Sequence, residues 1–130
     1  MLTNARFDLT LPVVDLERAK GFYGGKLGLK QLELPGPEMA SEMAFYETGD
    51  CAQVALYRRE NPTKADHTSA AFRVEDVDAT VEALSKQGVR FEQYDEPGMK
   101  TDKRGITSIG PFRGAFFKDT EGNTLSVVGQ

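Results

Sequence analysis

Cysteine is almost absent from this chain: the 130 residues contain a single one, Cys51. One cysteine excludes an internal disulfide bond and leaves no second thiol for a cysteine-rich zinc site. A nucleophilic thiol would need a neighbouring base, and no such base is evident in the sequence. We therefore interpret Cys51 as a small residue within a strand.

Clustered positive charge is also lacking. The chain has 16 lysine and arginine residues against 20 aspartate and glutamate residues, which gives a formal net charge of -4. The densest basic group, Lys100, Lys103 and Arg104, is interrupted by Thr101 and Asp102 and is interpreted as a solvated loop. This pattern argues against a nucleic-acid partner.

Long apolar runs are missing as well. None approaches the length that spans a membrane, and the opening residues MLTNARFDL lack the apolar stretch of a signal peptide. We therefore expect a cytoplasmic protein with no membrane partner. The apolar fraction of 39% and the charged fraction of 28% are typical of a globular domain rather than a disordered chain.

The clearest local pattern lies in residues 7–30, which predict one strand followed by one helix. Apolar residues at every second position predict a half-buried strand over residues 7–13. Asp15 stands at the N-cap position, where its carboxylate can accept a backbone N–H bond. The buried stripe of the helix and the glycines that end it are Leu16, Ala19, Phe22, Tyr23, Gly24, Gly25 and Gly28.

The rest of the first half is predicted to be strands. Residues 30–34, 43–47 and 51–58 each have the composition of a short strand, and Pro35, Gly36 and Pro37 are expected to form a turn after the first of them. Residues 60–66 are polar and contain a proline, so they are interpreted as the connector to the second half.

The second half repeats this order. A strand at residues 67–74 precedes a helix that is capped by Asp76 or Asp78 and stopped by Gly88. The further predicted strands are residues 89–94, 106–109, 114–118 and 123–128.

An internal repeat relates the two halves. Residues 11–18 align with residues 72–79, so that Asp15 falls on Asp76. Each half is therefore one supersecondary unit that cannot bury its sheet alone, and the predicted fold class is α+β with two βαβββ modules. The expected organisation is a single domain, residues 1–130, with module 1 at about 1–60 and module 2 at about 67–130.

One long segment does not fit the repeat. Residues 95–111 contain Gly98, Gly105 and Gly110, and only residues 106–109 resemble a strand. A loop of this length in a compact domain is usually functional or disordered. We predict a lid or a partner-contacting arm, since the segment also contains apolar residues that can pack.

These features together resemble the vicinal-oxygen-chelate superfamily, which contains glyoxalase I, extradiol dioxygenases and bleomycin-resistance-type binding proteins. The resemblance rests on the two βαβββ units, the start LPVVDLERAKGFY followed by LGL, and the end AFFKDTEGNTLSVV. It implies an incomplete eight-stranded barrel with helices outside and a ligand inside, commonly assembled as a homodimer.

The resemblance also implies where a metal would be held, because metal-dependent members take one ligand, usually His or Glu, from each of four strands. Those positions carry Asp8, Ala55, Ser69 and Ser126, with Gln53 or Tyr57 as alternatives to Ala55. Only Asp8 is a strong donor, and His67, on the same strand face as Ser69, would add one more. Two ligands are too few for a catalytic metal, so we expect neither a bound metal nor another cofactor.

The strand face opposite the apolar one is expected to line a pocket or to meet water, since unpaired buried polar groups are costly. Asp8 could bind a ligand, face solvent or pair with Arg73, whose guanidinium suits a carboxylate or phosphate. Tyr57 is interpreted as a pocket wall and His67 as a surface residue or a chemical group. The predicted ligand-binding residues are Asp8, Thr10, Gln53, Ala55, Tyr57, Ser69, Arg73 and Ser126.

The sequence leaves more than one function open. A metal-independent protein that binds a small molecule, as resistance-type members sequester a drug-like or aromatic compound, is the first hypothesis. The alternative is a lyase or isomerase of the glyoxalase or epimerase kind, with a displaced metal site or with acid–base chemistry by Asp8 and His67. A structural or regulatory dimer with an empty pocket is the third.

Overall fold

The computed structural model describes residues 1–49 and 52–129, and the chain forms two compact units, Met1–Thr63 and Lys64–Gln130. The boundary falls within the polar segment that the sequence suggested as a connector. Cys51, and with it the interpretation of its thiol, lies outside the described residues. That the two units make up a single domain stays a prediction.

The described residues of unit 1 form four strands and two short helices. Its elements are β1 (Asp8–Val13), α1 (Leu16–Lys20) continued by a π-helical turn (Gly21–Lys26), β2 (Lys30–Leu32), α2 (Pro37–Glu42), β3 (Met43–Glu47) and β4 (Gln53–Arg58). Helix α2 was not expected, because Pro35, Gly36 and Pro37 were predicted to form a turn. Pro37 stands instead in the first turn of the helix, where its missing N–H and fixed φ angle are tolerated.

The sheet of unit 1 has the strand order β1-β4-β3-β2. Strand β1 runs parallel to β4, with Leu9 opposite Val54 and Leu11 opposite Leu56, whereas β3 is antiparallel to both of its neighbours. Because partnered residues share a face of the sheet, this register collects the apolar residues of β1 and β4 on one side.

Helix α1 covers that apolar side. The Asp15 carboxylate accepts a hydrogen bond of 3.0 Å from the Arg18 N–H, which confirms the predicted cap. Gly28 follows the helical segment with φ = 71°, a conformation that glycine adopts without strain. The predicted stripe is buried at every position, namely Leu16, Ala19, Phe22 and Tyr23.

Unit 2 repeats the arrangement. The strand order is β5-β10-β9-β8, with the first strand again parallel to the last and the remaining pairs antiparallel. The predicted α+β class, with two βαβββ modules, is therefore confirmed by the two four-stranded sheets. The elements are β5 (Thr68–Arg73), α3 (Val77–Lys86), β6 (Asp95–Glu96), β7 (Met99–Lys100), β8 (Ile106–Ile109), β9 (Phe112–Lys118) and β10 (Thr124–Gly129).

Helix α3 covers the apolar side of this second sheet. Its cap is Asp76, whose carboxylate accepts a 2.9 Å bond from the Ala79 N–H. Asp78, the other cap candidate, accepts hydrogen bonds from Arg113 on β9 and from Arg104. The helix is thus held to the sheet by an ion-pair cluster at its first turn and by the buried Val77 and Val81 below it.

The prediction of a strand at residues 89–94 is wrong. Against β9 this segment forms one isolated bridge, between Phe91 and Phe117, and a 2.7 Å bond from the Glu92 N–H to the Phe116 carbonyl. Strand β8 pairs with residues 112–115 of β9, so residues 89–94 meet the same edge of β9 only beside Phe116 and Phe117.

The long segment after residue 94 has internal order. Strands β6 and β7 form a small hairpin, and Asp102 organises the turn that follows by accepting bonds from the Arg104 and Ile106 N–H groups. Partial desolvation raises the pKa of the Asp102 carboxyl, but these bonds and the Arg104 guanidinium outweigh it and lower the pKa overall. The role of the segment as a lid or arm stays a prediction. Among the described residues, no helix is long and apolar enough to cross a membrane.

One buried polar atom in unit 1 is left without a partner among the described residues, the hydroxyl of Tyr46. Tyr46 is 1% exposed and packs beside the Tyr23 ring, with ring centroids 6.3 Å apart. Burial raises the pKa of this hydroxyl, and the charge of Glu17 raises it further.

We predict that Tyr46→Phe increases the free energy of unfolding by about 1 kcal/mol, because it removes a buried hydroxyl that makes no hydrogen bond. Urea denaturation checks this at neutral pH. Above pH 10.0 the unfolded tyrosine loses its proton before the folded one, so wild-type stability should fall more steeply than that of the variant. Burial also raises the pKa of Tyr94. Both proteins should therefore lose some stability at alkaline pH through Tyr94. A variant less stable than the wild type at neutral pH would contradict the prediction.

Candidate functional site

In each unit one sheet face lies under the helix, and the opposite face carries most of the polar strand residues. We call the face away from the helix the polar face. In unit 1 it carries Asp8, Thr10, Gln53, Ala55, Tyr57, Met43 and Phe45. In unit 2 it carries Thr124, Ser126, Val128, Gly114, Phe116, Thr107, Ala71 and Arg73.

The register of unit 1 brings five predicted ligand-binding residues onto its polar face. Asp8 lies beside Gln53, and Thr10 lies beside Ala55 across the parallel β1–β4 pair. Thr10 is exposed, whereas Ala55 is 2% exposed. A buried methyl group therefore lies beside an exposed threonine on this face. The fifth residue, Tyr57, is half-buried at the end of the same row of β4.

Two aromatic or apolar side chains of β3 complete this surface. Phe45 is the antiparallel partner of Ala55, and Met43 is the partner of Tyr57. Both are half-buried, so each presents part of its surface away from the core. Partnered side chains on one face lie about 4.5–5.5 Å apart, which places an aromatic ring directly beside the Ala55 methyl group.

In unit 2 the buried centre of the polar face is Ser126. Ser126 is 2% exposed and lies between Phe116 on β9 and Ala71 on β5. The Phe116 ring is held by an edge-to-face contact with Tyr94, with centroids 5.9 Å apart and planes at 81°. A hydroxyl group therefore stands next to a fixed aromatic ring, an arrangement suited to a flat ligand with one polar edge.

The other predicted site residues of unit 2 lie on or next to β5, away from the centre of the polar face. Thr68 pairs with Thr124 and Ala70 pairs with Leu125, so Ser69 is the extra residue of a β-bulge. His67 precedes the strand and is exposed, and Arg73 is exposed at its far end. Sequence periodicity could not reveal the bulge, since it depends on the partner strand.

The tight turn before β10 fixes where Ser126 stands. Asp119 accepts 2.8 Å bonds from the N–H groups of both Glu121 and Asn123, and its second oxygen accepts a 2.7 Å bond from the Asn123 side chain. All three residues are buried. The Asp-x-x-Gly-Asn sequence therefore has a structural role, which is to lock the start of the strand that carries Ser126.

A concave region of unit 2 lies away from the polar face. It is a groove of about 720 Å³ beside α3, lined by residues that include Asp76, Asp78, Lys103 and Arg104. Asp76 caps the helix and Asp78 binds two arginines, so both carboxylates already have structural roles.

The residues at the four implied metal positions do not fit a divalent metal ion. Asp8 supplies one carboxylate, Ser69 and Ser126 supply neutral hydroxyls, and Ala55 supplies a methyl group. Catalytic metals in proteins are held by three or more imidazole, carboxylate or thiolate ligands. Within residues 1–49 and 52–129, no three His, Cys, Asp or Glu side chains are grouped closely enough to hold an ion.

Sequence reasoning missed three residues that the fold places on the polar face or against it. Tyr94 was assigned to a strand, yet its ring packs on Phe116. Thr107 lies beside Gly114 on neighbouring strands, and both are buried. No local pattern marks these residues, because the long connection after α3 determines where each one lies.

Comparison with known proteins adds a family assignment. Residues 7–127 match the family described as the Glyoxalase/Bleomycin resistance protein/Dioxygenase superfamily. A glyoxylase-like domain-containing protein from Didymella fabae is 29% identical over 124 residues, which cover 92% of this chain and 88% of that protein.

Solved structures show the same fold at low sequence identity. A glyoxalase family protein from Bacillus anthracis has a TM-score of 0.75 and 18% identity, covering 98% of this chain and 95% of that one. An antibiotic binding protein from a Streptomyces species has a TM-score of 0.69 and 24% identity, covering 99% and 98%. A fosfomycin resistance protein from Mesorhizobium loti has a TM-score of 0.67 and 18% identity, covering 100% and 94%. Since the family match spans most of the sequence, the chain belongs to the Glyoxalase/Bleomycin resistance protein/Dioxygenase superfamily.

Proposed function

We propose that this chain is a metal-independent small-molecule-binding protein that sequesters a drug-like or aromatic ligand on its polar faces. The observation that carries the proposal is the donor set at the four metal positions, where one carboxylate, two hydroxyls and a methyl group replace the usual ligands. Such a set can orient a ligand through hydrogen bonds, but it cannot hold a Lewis acid.

The composition of the polar faces supports an apolar or aromatic ligand. Each unit places a half-buried aromatic ring beside a small strand residue, Phe45 beside Ala55 and Phe116 beside Ser126. Burial of the apolar surface of a ligand would supply most of the affinity, and a few hydroxyl groups would fix its orientation. Each unit has its own set of the predicted contacts, which are Asp8, Thr10, Gln53, Ala55 and Tyr57 in unit 1 and Ser69, Arg73 and Ser126 in unit 2.

Two of the structural relatives bear on the choice of ligand. One is described as an antibiotic binding protein and another as a fosfomycin resistance protein. The first supports antibiotic binding as a use of this fold, although at 24% identity the likeness extends to the fold alone. The proposal for this chain therefore depends on its own polar faces.

We predict that a panel of aromatic compounds and antibiotics contains ligands that raise the melting temperature, and that Ser126→Ala weakens their binding by about tenfold through loss of one buried hydrogen bond. Thermal shift identifies the ligands, and isothermal titration calorimetry measures the dissociation constants. The matched control is Ser108→Ala, because Ser108 is an exposed strand serine on the helix-covered face and should leave binding unchanged.

Two assays on the same purified protein distinguish binding from catalysis. If no compound in the panel stabilises the protein, the sequestering function is wrong. Turnover of a 2-oxoaldehyde–thiol adduct that is lost in Asp8→Ala would instead favour the lyase or isomerase alternative, in which Asp8 and His67 supply acid–base chemistry.

We further predict that binding requires no metal. Elemental analysis of the purified protein should find no stoichiometric divalent ion, and ligand affinity should be the same with and without EDTA. Added zinc, nickel or manganese should produce no saturable stabilisation of the fold, because the implied positions lack a ligand set for them. A bound ion at one equivalent per chain, or loss of ligand binding in EDTA, would contradict metal independence.

A cytoplasmic homodimer is proposed as the working form. Large apolar side chains are exposed at the tip of the β8–β9 hairpin, where Ile109 is 65% and Phe112 is 51% exposed. Light scattering coupled to gel filtration should give a mass of about twice 14.3 kDa at micromolar protein concentration. A mass of one chain at all concentrations would contradict the dimer.

A further inference from the structure

The groove beside α3 is a concavity that the proposed binding function does not use. Its volume of about 720 Å³ is within the range of small-molecule sites in proteins. One wall is helix α3, and the other is formed by residues that follow the helix, namely Arg90, Phe91, Gln93, Lys103 and Arg104. The groove therefore lies wholly within unit 2.

Two polar contacts fix the walls of the groove. The Gln93 side chain donates a 2.7 Å bond to the Lys103 carbonyl oxygen, which joins the two segments of the outer wall. The Arg104 guanidinium donates a 2.5 Å bond to the Asp78 carboxylate, which ties that wall to the first turn of α3. The groove is therefore already formed in the protein without a ligand, as most small-molecule sites are.

The floor of the groove is apolar. Val81 is 1% exposed and belongs to the buried stripe of α3. Phe91 is half-buried, and its ring packs edge to face against Phe117, with centroids 5.4 Å apart. A Cβ on Gly105 would lie only 2.8 Å from the Phe91 Cβ, so the chain after Arg104 packs directly on this floor. A ligand with an apolar body can cover the part of Phe91 that is still exposed.

Each acidic residue that lines the groove already has a partner. The Asp76 carboxylate accepts a bond from the Ala79 N–H and caps the helix. Asp78 accepts bonds from two arginines, and Glu82 pairs with Lys86 at 3.1 Å. Basic side chains and the helix dipole therefore offset the negative charge of this wall.

Two basic residues that line the groove have no such partner. Arg90 and Lys103 are both exposed, and neither side chain forms an ion pair within residues 1–49 and 52–129. The third basic residue, Arg104, is held between Asp78 and Asp102. The charge that is not compensated in the groove is therefore positive, which favours an anionic ligand.

The two unpaired cations lie at opposite ends of the groove. The Val89 N–H donates a 3.0 Å bond to the Leu84 carbonyl oxygen, so Arg90 follows beside the last turn of α3. Lys103 lies at the other end, because the guanidinium of the next residue is bound to Asp78 in the first turn. A helix rises 1.5 Å per residue, so Asp78 and Leu84 are separated by about 9 Å along its axis. The apolar floor lies between these ends.

We propose that this groove binds a linear dicarboxylate with an apolar middle segment, held by Arg90 at one end and by Lys103 at the other. The Arg90 guanidinium suits a bidentate contact with one carboxylate, and the Lys103 ammonium binds the second as a point charge. The methylene chain between the carboxylates covers Phe91 and Val81. The groove lies away from the polar face, so this site is independent of the proposed function.

The separation of the two cations gives a rule for ligand length. Nonanedioate is long enough to reach both ends, whereas butanedioate is too short to do so. Nonanoate has a similar apolar chain but only one carboxylate, so it leaves one cation without a counter-charge. Nonanedioate should therefore bind more tightly than either of the other two, and added salt should weaken its binding.

Isothermal titration calorimetry with the full-length protein and these three probes tests the inference. The wild type should bind nonanedioate about fivefold more tightly than nonanoate, which corresponds to one exposed ion pair. Arg90→Gln and Lys103→Gln should each remove this advantage. Arg59→Gln is the matched control, because Arg59 is an exposed arginine in unit 1 that does not line the groove. It should bind nonanedioate as the wild type does.

A second pair of variants tests the place of binding without changing a charge. Ser85→Trp should fill the groove and weaken nonanedioate by at least tenfold, since Ser85 is exposed and lines the helical wall. Ala83→Trp is its control, because Ala83 is exposed on the same helix outside the groove. Melting temperatures of all these variants should stay close to that of the wild type, as expected for exposed positions.

Four outcomes would overturn the inference. Absence of nonanedioate binding at millimolar concentration would exclude the site and leave the polar-face proposal untouched. Equal affinity for nonanedioate and nonanoate would show that the second carboxylate is not recognised. Unchanged binding in Ser85→Trp, or in both charge variants, would place the ligand elsewhere. If Ser126→Ala weakens nonanedioate instead, the ligand binds on the polar face, and the groove fails while the proposed binding function stands.

Discussion

The parallel pairing between the first and last strands of each unit is the constraint on which the rest of the structure depends. In unit 1 it sets Leu9 and Leu11 opposite Val54 and Leu56. Side chains alternate between the two faces of a strand, so a slip of one residue in this register would exchange the apolar and polar faces completely. The helix could then no longer bury its stripe, and the polar face would no longer gather hydroxyl and aromatic groups on one surface.

The polar faces show how a family scaffold can be retained while the residues at its metal-ligand positions differ. The elements that build the scaffold are intact: the Asp15 and Asp76 caps, the buried helix stripes and the Asp119 turn. The side chains that would hold a metal are replaced at the strand positions themselves, by Ala55 on β4 and Ser126 on β10. Fold and site are therefore independent in this chain, because backbone caps and core packing maintain the first without reference to the second.

Most of the fold could be predicted from sequence, and the reasons are local. Aspartates at helix starts, glycines at helix ends and apolar alternation each act over a few residues, so the two βαβββ modules were predicted with most of their strands near the observed bounds. Residues 89–94 also alternate, but β8 pairs with residues 112–115 of β9 and leaves this segment one bridge, at Phe117. Such sharing of a strand edge between segments is invisible in one sequence. Helix α2 was missed for a different reason, since a proline read as a turn residue also starts a helix.

The candidate site was harder to predict than the fold, because its members come from segments that meet only after folding. Periodicity placed Thr10, Gln53 and Ser126 on the face away from the helices, and the register agrees with that placement. Tyr94 and Thr107 gave no such signal. The position of each depends on the path of the chain after α3.

The position of β10 in the strand order has a consequence for how the chain is made. In unit 1 the strand that pairs with β1 is complete at Arg58, so this sheet can assemble while the ribosome is still synthesising the second half. In unit 2, β10 lies between β5 and β9, and it is the last of the described strands to be synthesised. Strand β5 must therefore wait with an unpaired edge until nearly all of unit 2 has been translated, and a nascent chain that stalls before β10 exposes this edge to aggregation.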